Sequence, residues 1–434
     1  MRQVNRLQAA TDGATAARAA AARLVTGVVG AQQALDDQLA DPAGPIAALG
    51  PPDRARAQRL ATATLRRIGP AEAVLAPLLR RPPPAVLRAI LCLALSELSD
   101  RPQDAHGIVA AAVDLARMLA PDAHAEGFVN AVLRRLATGA DPLDGQPPQR
   151  LPGWLRDRLA AAWGGKAVAA MEAAHAAGAP LDLTPRSTAE AGALARALGA
   201  ARLPQGSLRL TAPGQVSALP GFAEGAWWVQ DAAAAMPARL LAARPGEAVA
   251  DLCAAPGGKT LQLAAAGARV TALDLSPGRM ARLAENLARC GLAAETVVTD
   301  ARRYAGGPFD AVLLDAPCTA TGTIRRHPDL PFVKRASDIA SLAALQAALI
   351  DRAVALTRPG GRMVYCTCSI LPEEGEDQAR AALARHPGLT LATADAGGLP
   401  KGARRPEGWI RLRPDMWADR GGIDGFFIAL FHRA

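Results

Sequence analysis

The sequence predicts a multidomain protein: an all-α helical bundle over residues 1–140, a small α+β unit over 150–226, and an α/β domain with a mainly parallel sheet over 227–434. Three observations lead there. The chain has 434 residues, well beyond the ~150 typical of one domain. Its first third carries apolar residues at helical spacing, broken by proline and glycine clusters. From about Trp227 onward, apolar β-rich runs alternate with helical stretches, the pattern of βαβ units.

Taken in order, alanine, leucine and arginine dominate the first 140 residues. Breaks fall at Asp41-Pro42-Ala43-Gly44-Pro45, Gly50-Pro51-Pro52 and Arg81-Pro82-Pro83-Pro84, dividing the stretch into about seven helical segments. The Pro/Gly/Asp-rich stretch from Gly139 to Pro152 reads as a linker. A helix is expected from Trp154 to about Ala177, a short strand at Leu181-Asp182-Leu183, a helix at 188–199 and short strands from 208. In the last domain strands are expected at 247–252, 269–274, 295–299, 309–314 and 361–366, and helices at 258–266, 277–290, 337–357 and 373–386. Two final strands around Gly421-Gly422 form an antiparallel hairpin that closes the sheet.

Composition narrows the function classes. Half the residues are hydrophobic and 21% are charged, a globular balance. The net charge of +9 suits a polyanionic partner only modestly at this length. Only Lys166, Lys259, Lys334 and Lys401 are lysines, a bias toward arginine that carries little functional weight. No stretch of ~18 consecutive apolar residues is present, so no membrane partner is expected. Met1 to Arg6 lead into an alanine-rich helical pattern without the apolar core and cleavage site of a secretory leader. Cys92, Cys253, Cys290, Cys318, Cys366 and Cys368 show no CxxC spacing; reduced thiols, a cytoplasmic location and no bound metal are expected.

The chemistry concentrates in three segments. Asp251-Leu252-Cys253-Ala254-Ala255-Pro256-Gly257-Gly258-Lys259-Thr260 follows a strand and opens a helix, where a glycine turn lets the backbone approach a ligand. A dinucleotide fingerprint is absent. A phosphate loop fits only at Gly258-Lys259-Thr260, since Cys253 stands where glycine is required. Asp274, Asp300 and Asp315 end the next three strands. Three carboxylates at successive strand ends suit a ligand with hydroxyls, an amine and a positive centre, such as S-adenosylmethionine, and would repel a triphosphate. The second segment, Asp315-Ala316-Pro317-Cys318-Thr319, and the third, Tyr365-Cys366-Thr367-Cys368-Ser369, each put a cysteine at the mouth of the crevice.

These segments resemble the RNA 5-methylcytosine methyltransferase family (RsmB/Fmu/Sun branch), as do Ile324 to Asp329, Pro372-Glu373-Glu374 and Asp424-Gly425-Phe426-Phe427. Gly127 to Arg134 resembles the last helix of the NusB-type RNA-binding domain that this branch carries in front. Gly375 stands where the family often has Asn, and Cys366 where it usually has a small residue without a thiol.

The resemblance implies a NusB-like bundle, a Rossmann-like class I methyltransferase domain, and methylation of cytosine C5 in RNA, with small-subunit (16S) rRNA as substrate. It makes Cys368 the nucleophile that adds to cytosine C6, Cys318 the residue that assists release of the adduct, and Asp315 the partner of the cytosine N3/N4 edge. S-adenosylmethionine is placed on Cys253, Ala254, Ala255, Pro256, Gly257, Gly258, Lys259, Asp274, Asp300 and Asp315. RNA is the expected partner, and DNA is not. The same chemistry on tRNA, a non-catalytic assembly factor and a phosphate-loop nucleotidase are the rival readings. Arg302, Arg303, Arg325, Arg326, His327, Lys334, Arg335, Arg404, Arg405, Arg411 and Arg413 lie near the crevice in sequence and are candidate RNA contacts; Trp227-Trp228 reads as core.

Overall fold

A computed structural model describes residues 13–434 apart from 121, 213 and 394–396. The extreme N-terminus, where no secretory leader is expected, lies outside the described residues. The chain divides into two compact units: Met1–Arg156 with Arg326–Lys334, and Asp157–Arg325 with Arg335–Ala434.

The first unit is helical, with α1 Gly13–Ala31, α2 Leu35–Ala40, α3 Pro51–Arg66, α4 Ile68–Leu75, α5 Ala85–Asp100, α6 Ala105–Leu119 and α7 Ala125–Leu136. The proline clusters fall where expected: Pro51 and Pro52 open α3, and Pro84 caps α5, because proline is tolerated at a helix start and nowhere deeper. Helix α1 buries Ala17, Ala20, Ala21, Leu24, Val25 and Val28, small side chains that let its neighbours approach closely. A buried Glu97 on α5 accepts from Arg18 of α1 at 2.8 and 2.9 Å, pinning the two helices. The excursion Arg326–Lys334 belongs to this unit. Asp329 accepts the Leu35 N–H at 2.9 Å, satisfying a donor at the start of α2, and Phe332 and Val333 pack on the helical core.

The helix Gly153–Trp163 runs across the boundary at Asp157, and Gly165–Ala177 follows it, where one continuous helix was expected. Gly164, at φ +84°, breaks it. A small antiparallel sheet follows, in the order β2-β3-β1-β4: β1 Leu181–Pro185, β2 Ala201–Arg202, β3 Leu208–Leu210 and β4 Trp227–Val229. Trp227 and Trp228 are buried, as core. Inside this sheet Arg209 forms a two-pronged ion pair with the buried Asp182 at 2.6 and 2.7 Å. The same arginine donates to the carbonyls of Arg420 and Gly422, and Asp182 accepts the Ala232 N–H, so this pair ties the small sheet to the rest of the unit.

The large sheet has the order β10-β12-β9-β8-β5-β6-β7, with β11 paired to β12. Its strands are β5 Ala248–Leu252, β6 Arg269–Asp274, β7 Glu295–Val298, β8 Phe309–Asp315, β9 Thr357–Thr367, β10 Leu389–Ala392, β11 Ile410–Leu412 and β12 Phe426–Arg433. Strands β5 to β9 are parallel, while β12 runs antiparallel to β9, β10 and β11. The near-continuous apolar character of β5 and β8 follows from burial on both faces. The chain steps outward from β5 to β6 on one side and returns to β8 on the other. That reversal opens a crevice beyond the carboxyl ends of β5 and β8, the usual ligand position in such sheets. By length and composition Ser337–Leu356 is, among the described helices, one that could cross a membrane. Here it buries Leu349, Ile350, Ala353 and Val354 in the core beside β8 and β9 and carries a buried Gln346.

Candidate active site

The loop after β5 is shaped by its backbone. Cys253 leaves the strand at φ +62° and Gly257 turns at φ +109°. A Cβ on Gly257 would stand 2.8 Å from Leu283 Cγ, so only glycine fits that turn. The amides of Ala254, Ala255 and Gly257 donate to Leu273 O, Asp274 Oδ2 and Ala254 O at 2.9, 3.1 and 2.9 Å. Three amides that would face a phosphate in a phosphate loop are thus engaged within the protein. Lys259 turns back to Asp315 Oδ2 at 2.7 Å and sits 5.2 Å over the Phe426 ring. Burial alone would lower the Lys259 pKa, but the Asp315 carboxylate holds it above its ordinary value. Both facts count against the nucleotidase reading.

Asp274 and Asp315 end β6 and β8 as expected, whereas Asp300 lies two residues beyond β7. Asp274 is buried and accepts from the Ala255 and Ser276 amides. Asp315 is partly open: Lys259 holds one oxygen, and Cys366 Sγ lies 3.5 Å from the other. Asp300 is the outermost; it is fixed by the Arg302 amide at 3.0 Å and by the Arg302 guanidinium, whose hydrogen bond keeps the carboxyl below its ordinary pKa. A further carboxylate, Asp251, lies fully buried beneath the loop and accepts from Thr260 Oγ1 at 2.6 Å. Burial pushes it up to about 7. Cys253 is pushed up to about 12, by burial first and then by the charges of Asp315, Asp274 and Asp251. This acidic floor under a glycine turn fits the cationic sulfonium, the amine and the hydroxyls of S-adenosylmethionine. Among the described residues no group of three or more His, Cys, Asp or Glu could hold a metal ion.

Strands β8 and β9 are neighbours, with Asp315 opposite Cys366, so the loops that follow them meet. Cys318 Sγ and Cys368 Sγ are 3.5 Å apart. The Cys318 thiol is raised well above its ordinary pKa, first by its hydrogen bond to Cys368, then by burial and by the charges of Cys368 and Glu374. At that distance either sulfur can donate its S–H to the other. Cys366 is different: fully buried, raised chiefly by burial, and aimed at Asp315 rather than at the thiol pair.

Two of the candidate RNA contacts must be corrected. Arg325 is fully buried and pairs with Asp424 at 2.8 Å, and Arg411 is buried against Glu376 at 2.5 and 3.0 Å. Both are held inside the protein by these carboxylates and are not exposed to an RNA backbone. Arg302 is committed to Asp300, and Arg413 to Asp415 at 2.9 Å. Arg326, His327 and Lys334 fall in the helical unit. Sequence reasoning assigned no role to the buried Glu374 and Gln346 behind the cysteine loops, nor to Thr319 within the first of them. Glu374 stood only in the Pro372-Glu373-Glu374 string and Thr319 only in the segment after Cys318.

Comparison with known proteins agrees with this geometry. Residues 238–432 match the family described as 16S rRNA methyltransferase RsmB/F, and residues 15–138 match the NusB family. The chain is 38% identical to the ribosomal RNA small subunit methyltransferase B of Pseudomonas putida over 95% of this chain and 97% of that protein. It is also 38% identical to the protein of that name from Pseudomonas syringae pv. tomato, over 87% and 88% of the two chains. The crystal structure of PH0851 shares the fold, with a TM-score of 0.73 at 24% identity, covering 98% of this chain and 99% of that one.

Proposed function

The chain belongs to the RsmB/F family of 16S rRNA methyltransferases, and from that premise we propose how its site carries out the reaction. The enzyme methylates C5 of cytosine in small-subunit rRNA with S-adenosylmethionine as donor. The observation that carries the assignment of roles is the pair of cysteine sulfurs 3.5 Å apart at the ends of adjacent strands, beside Asp315.

Cytosine C5 is too weak a nucleophile to take a methyl group directly. Addition of a thiolate at C6 moves electron density onto C5. A thiol of ordinary pKa is only about 3% ionised at pH 7. Cys318, 3.5 Å away, is placed to donate its S–H to a thiolate at Cys368. Asp315 hydrogen-bonds the N3/N4 edge of the ring as charge develops, with Lys259 holding its other oxygen in place. When bound, S-adenosylmethionine supplies the electrophilic methyl on its sulfonium. Residues 253–259, with Asp274, Asp300 and Asp315, would hold it. After transfer the C5 proton passes to water, the C5–H electrons re-form the ring double bond, and the Cys368 sulfur departs as thiolate. Cys318 assists that departure through the same S–H hydrogen bond.

The NusB-like bundle, residues 1–140, would recognise the RNA, the small unit 150–226 would connect, and residues 227–434 would catalyse. A target base held in a loop or a splayed strand spares the cost of extrusion, a few kcal/mol for a paired base. We place the enzyme in the cytoplasm, with its rRNA substrate. Incubation with S-adenosylmethionine and unmodified small-subunit rRNA, followed by digestion and mass spectrometry, should give 5-methylcytidine. Its absence on every rRNA preparation would overturn the reading.

A further inference from the structure

Glu374 lies fully buried directly behind both cysteine loops. Its Oε1 accepts the Thr319 N–H at 2.9 Å and the Gln346 side-chain amide at 3.1 Å, and its Oε2 accepts the Thr319 hydroxyl at 2.5 Å. Gln346 in turn donates to Pro317 O at 2.9 Å. The residues on either side of Cys318 are therefore tied to one carboxylate, Thr319 directly and Pro317 through Gln346. The Glu374 carbonyl accepts the Thr367 hydroxyl at 3.1 Å and the Tyr365 hydroxyl at 2.7 Å, which fixes the approach to Cys368. Ser369, just past Cys368, completes the stitch: its hydroxyl lies 3.3 and 3.1 Å from those of Thr319 and Thr321.

We propose that Glu374 is a positioning residue of the methyl-transfer site: it sets Cys318 against Cys368 and is needed to resolve the covalent adduct rather than to form it. The proposal rests on the roles given above to the two thiols. Attack at C6 needs only Cys368 and an oriented base. Release needs more. The C5 proton passes to water, its electron pair restores the ring double bond, and the C6–S electrons leave on Cys368, while Cys318 keeps its proton and donates it as a hydrogen bond to the departing sulfur. That donor is useful only at hydrogen-bonding distance and only while protonated. The three contacts to Glu374 fix the distance. Its negative charge, close to Cys318 in a buried site, also favours the protonated thiol. A buried carboxylate with no path to substrate is otherwise a costly feature.

The test follows the SDS-stable RNA–protein adduct and 5-methylcytidine through a single turnover. It compares wild type, Cys318→Ala, Glu374→Ala, Glu374→Gln and Thr319→Ala, each checked for folding and cofactor binding. Glu374→Ala should form adduct at close to the wild-type rate and release it about a hundredfold more slowly, the scale set by an ångström of misplacement. Glu374→Gln keeps an oxygen for Thr319 and Gln346 and should restore release to within about threefold. The alkaline limb of its pH profile should move to lower pH, because Cys318 loses its proton more easily. Should Glu374→Ala fail to fold, Thr319→Ala removes the hydroxyl held by Glu374, together with its contact to Ser369, without touching the carboxylate, and should also accumulate adduct. If Cys318→Ala accumulates adduct while the Glu374 and Thr319 variants release normally, the Glu374 proposal alone is overturned. Equal loss of formation and release in Glu374→Ala, or no rescue by Gln, also overturns it. If Cys318→Ala shows no adduct, the roles of the thiols fail and the proposal falls with them.

Discussion

Asp251 gives the sharpest test of the electrostatics under the cofactor loop. It is fully buried on β5; one oxygen accepts from Thr260 at 2.6 Å, and the other, Oδ1, has no hydrogen-bond partner among the described residues. Burial is the main cause that lifts its pKa from 3.8 to about 7. A carboxyl raised in the folded state favours folding while it is neutral. That contribution is complete below 3.8, fades as pH rises toward about 7 and is gone above it. At about 1.4 kcal/mol per pH unit, the ionised form costs the fold about 4 kcal/mol at pH 8. Asp251→Asn removes the titration and keeps an oxygen for Thr260. Between pH 5 and pH 8 the variant should gain about 2–3 kcal/mol on wild type. Urea unfolding followed by tryptophan fluorescence reads this well, because Trp163, Trp227, Trp228, Trp409 and Trp417 all lie in the unit that contains Asp251. A gap that stays constant with pH, or that narrows as pH rises, would refute the reasoning.

Two further perturbations probe the scaffold. Arg209→Met leaves the buried Asp182 with the Ala232 amide and strands two carbonyl acceptors; it should destabilise the second unit by about 3–5 kcal/mol in the same unfolding assay. Gly257→Ala puts a Cβ into Leu283 at a backbone angle that alanine resists and should weaken S-adenosylmethionine about tenfold by calorimetric titration, roughly 1.4 kcal/mol.

Much of this could be read from the chain because local rules and tertiary structure agree. The proline clusters do separate helices, and Asp274 and Asp315 do end parallel strands because the loops beyond them form the crevice. The cysteine loops meet because β8 and β9 are neighbours. What escaped the sequence depends on distant partners. Arg325 and Arg411 look like surface charge until Asp424 and Glu376 are seen around them. Strand β10, four residues at a sheet edge, has too little pattern to stand out. Gly164 breaks a helix through a left-handed angle that composition does not show. Glu374 sits in a polar string near the start of a helix, and only folding brings it beneath Thr319, 55 residues away.

The most direct test of the account compares wild type, Cys368→Ala and Cys318→Ala on unmodified small-subunit rRNA with S-adenosylmethionine. Free 5-methylcytidine and protein-bound RNA would be quantified by mass spectrometry and a denaturing gel. The account predicts 5-methylcytidine from wild type, neither product from Cys368→Ala, and trapped RNA with little free product from Cys318→Ala. Methylation that survives Cys368→Ala, or trapped RNA that disappears with Cys318 instead, would contradict it.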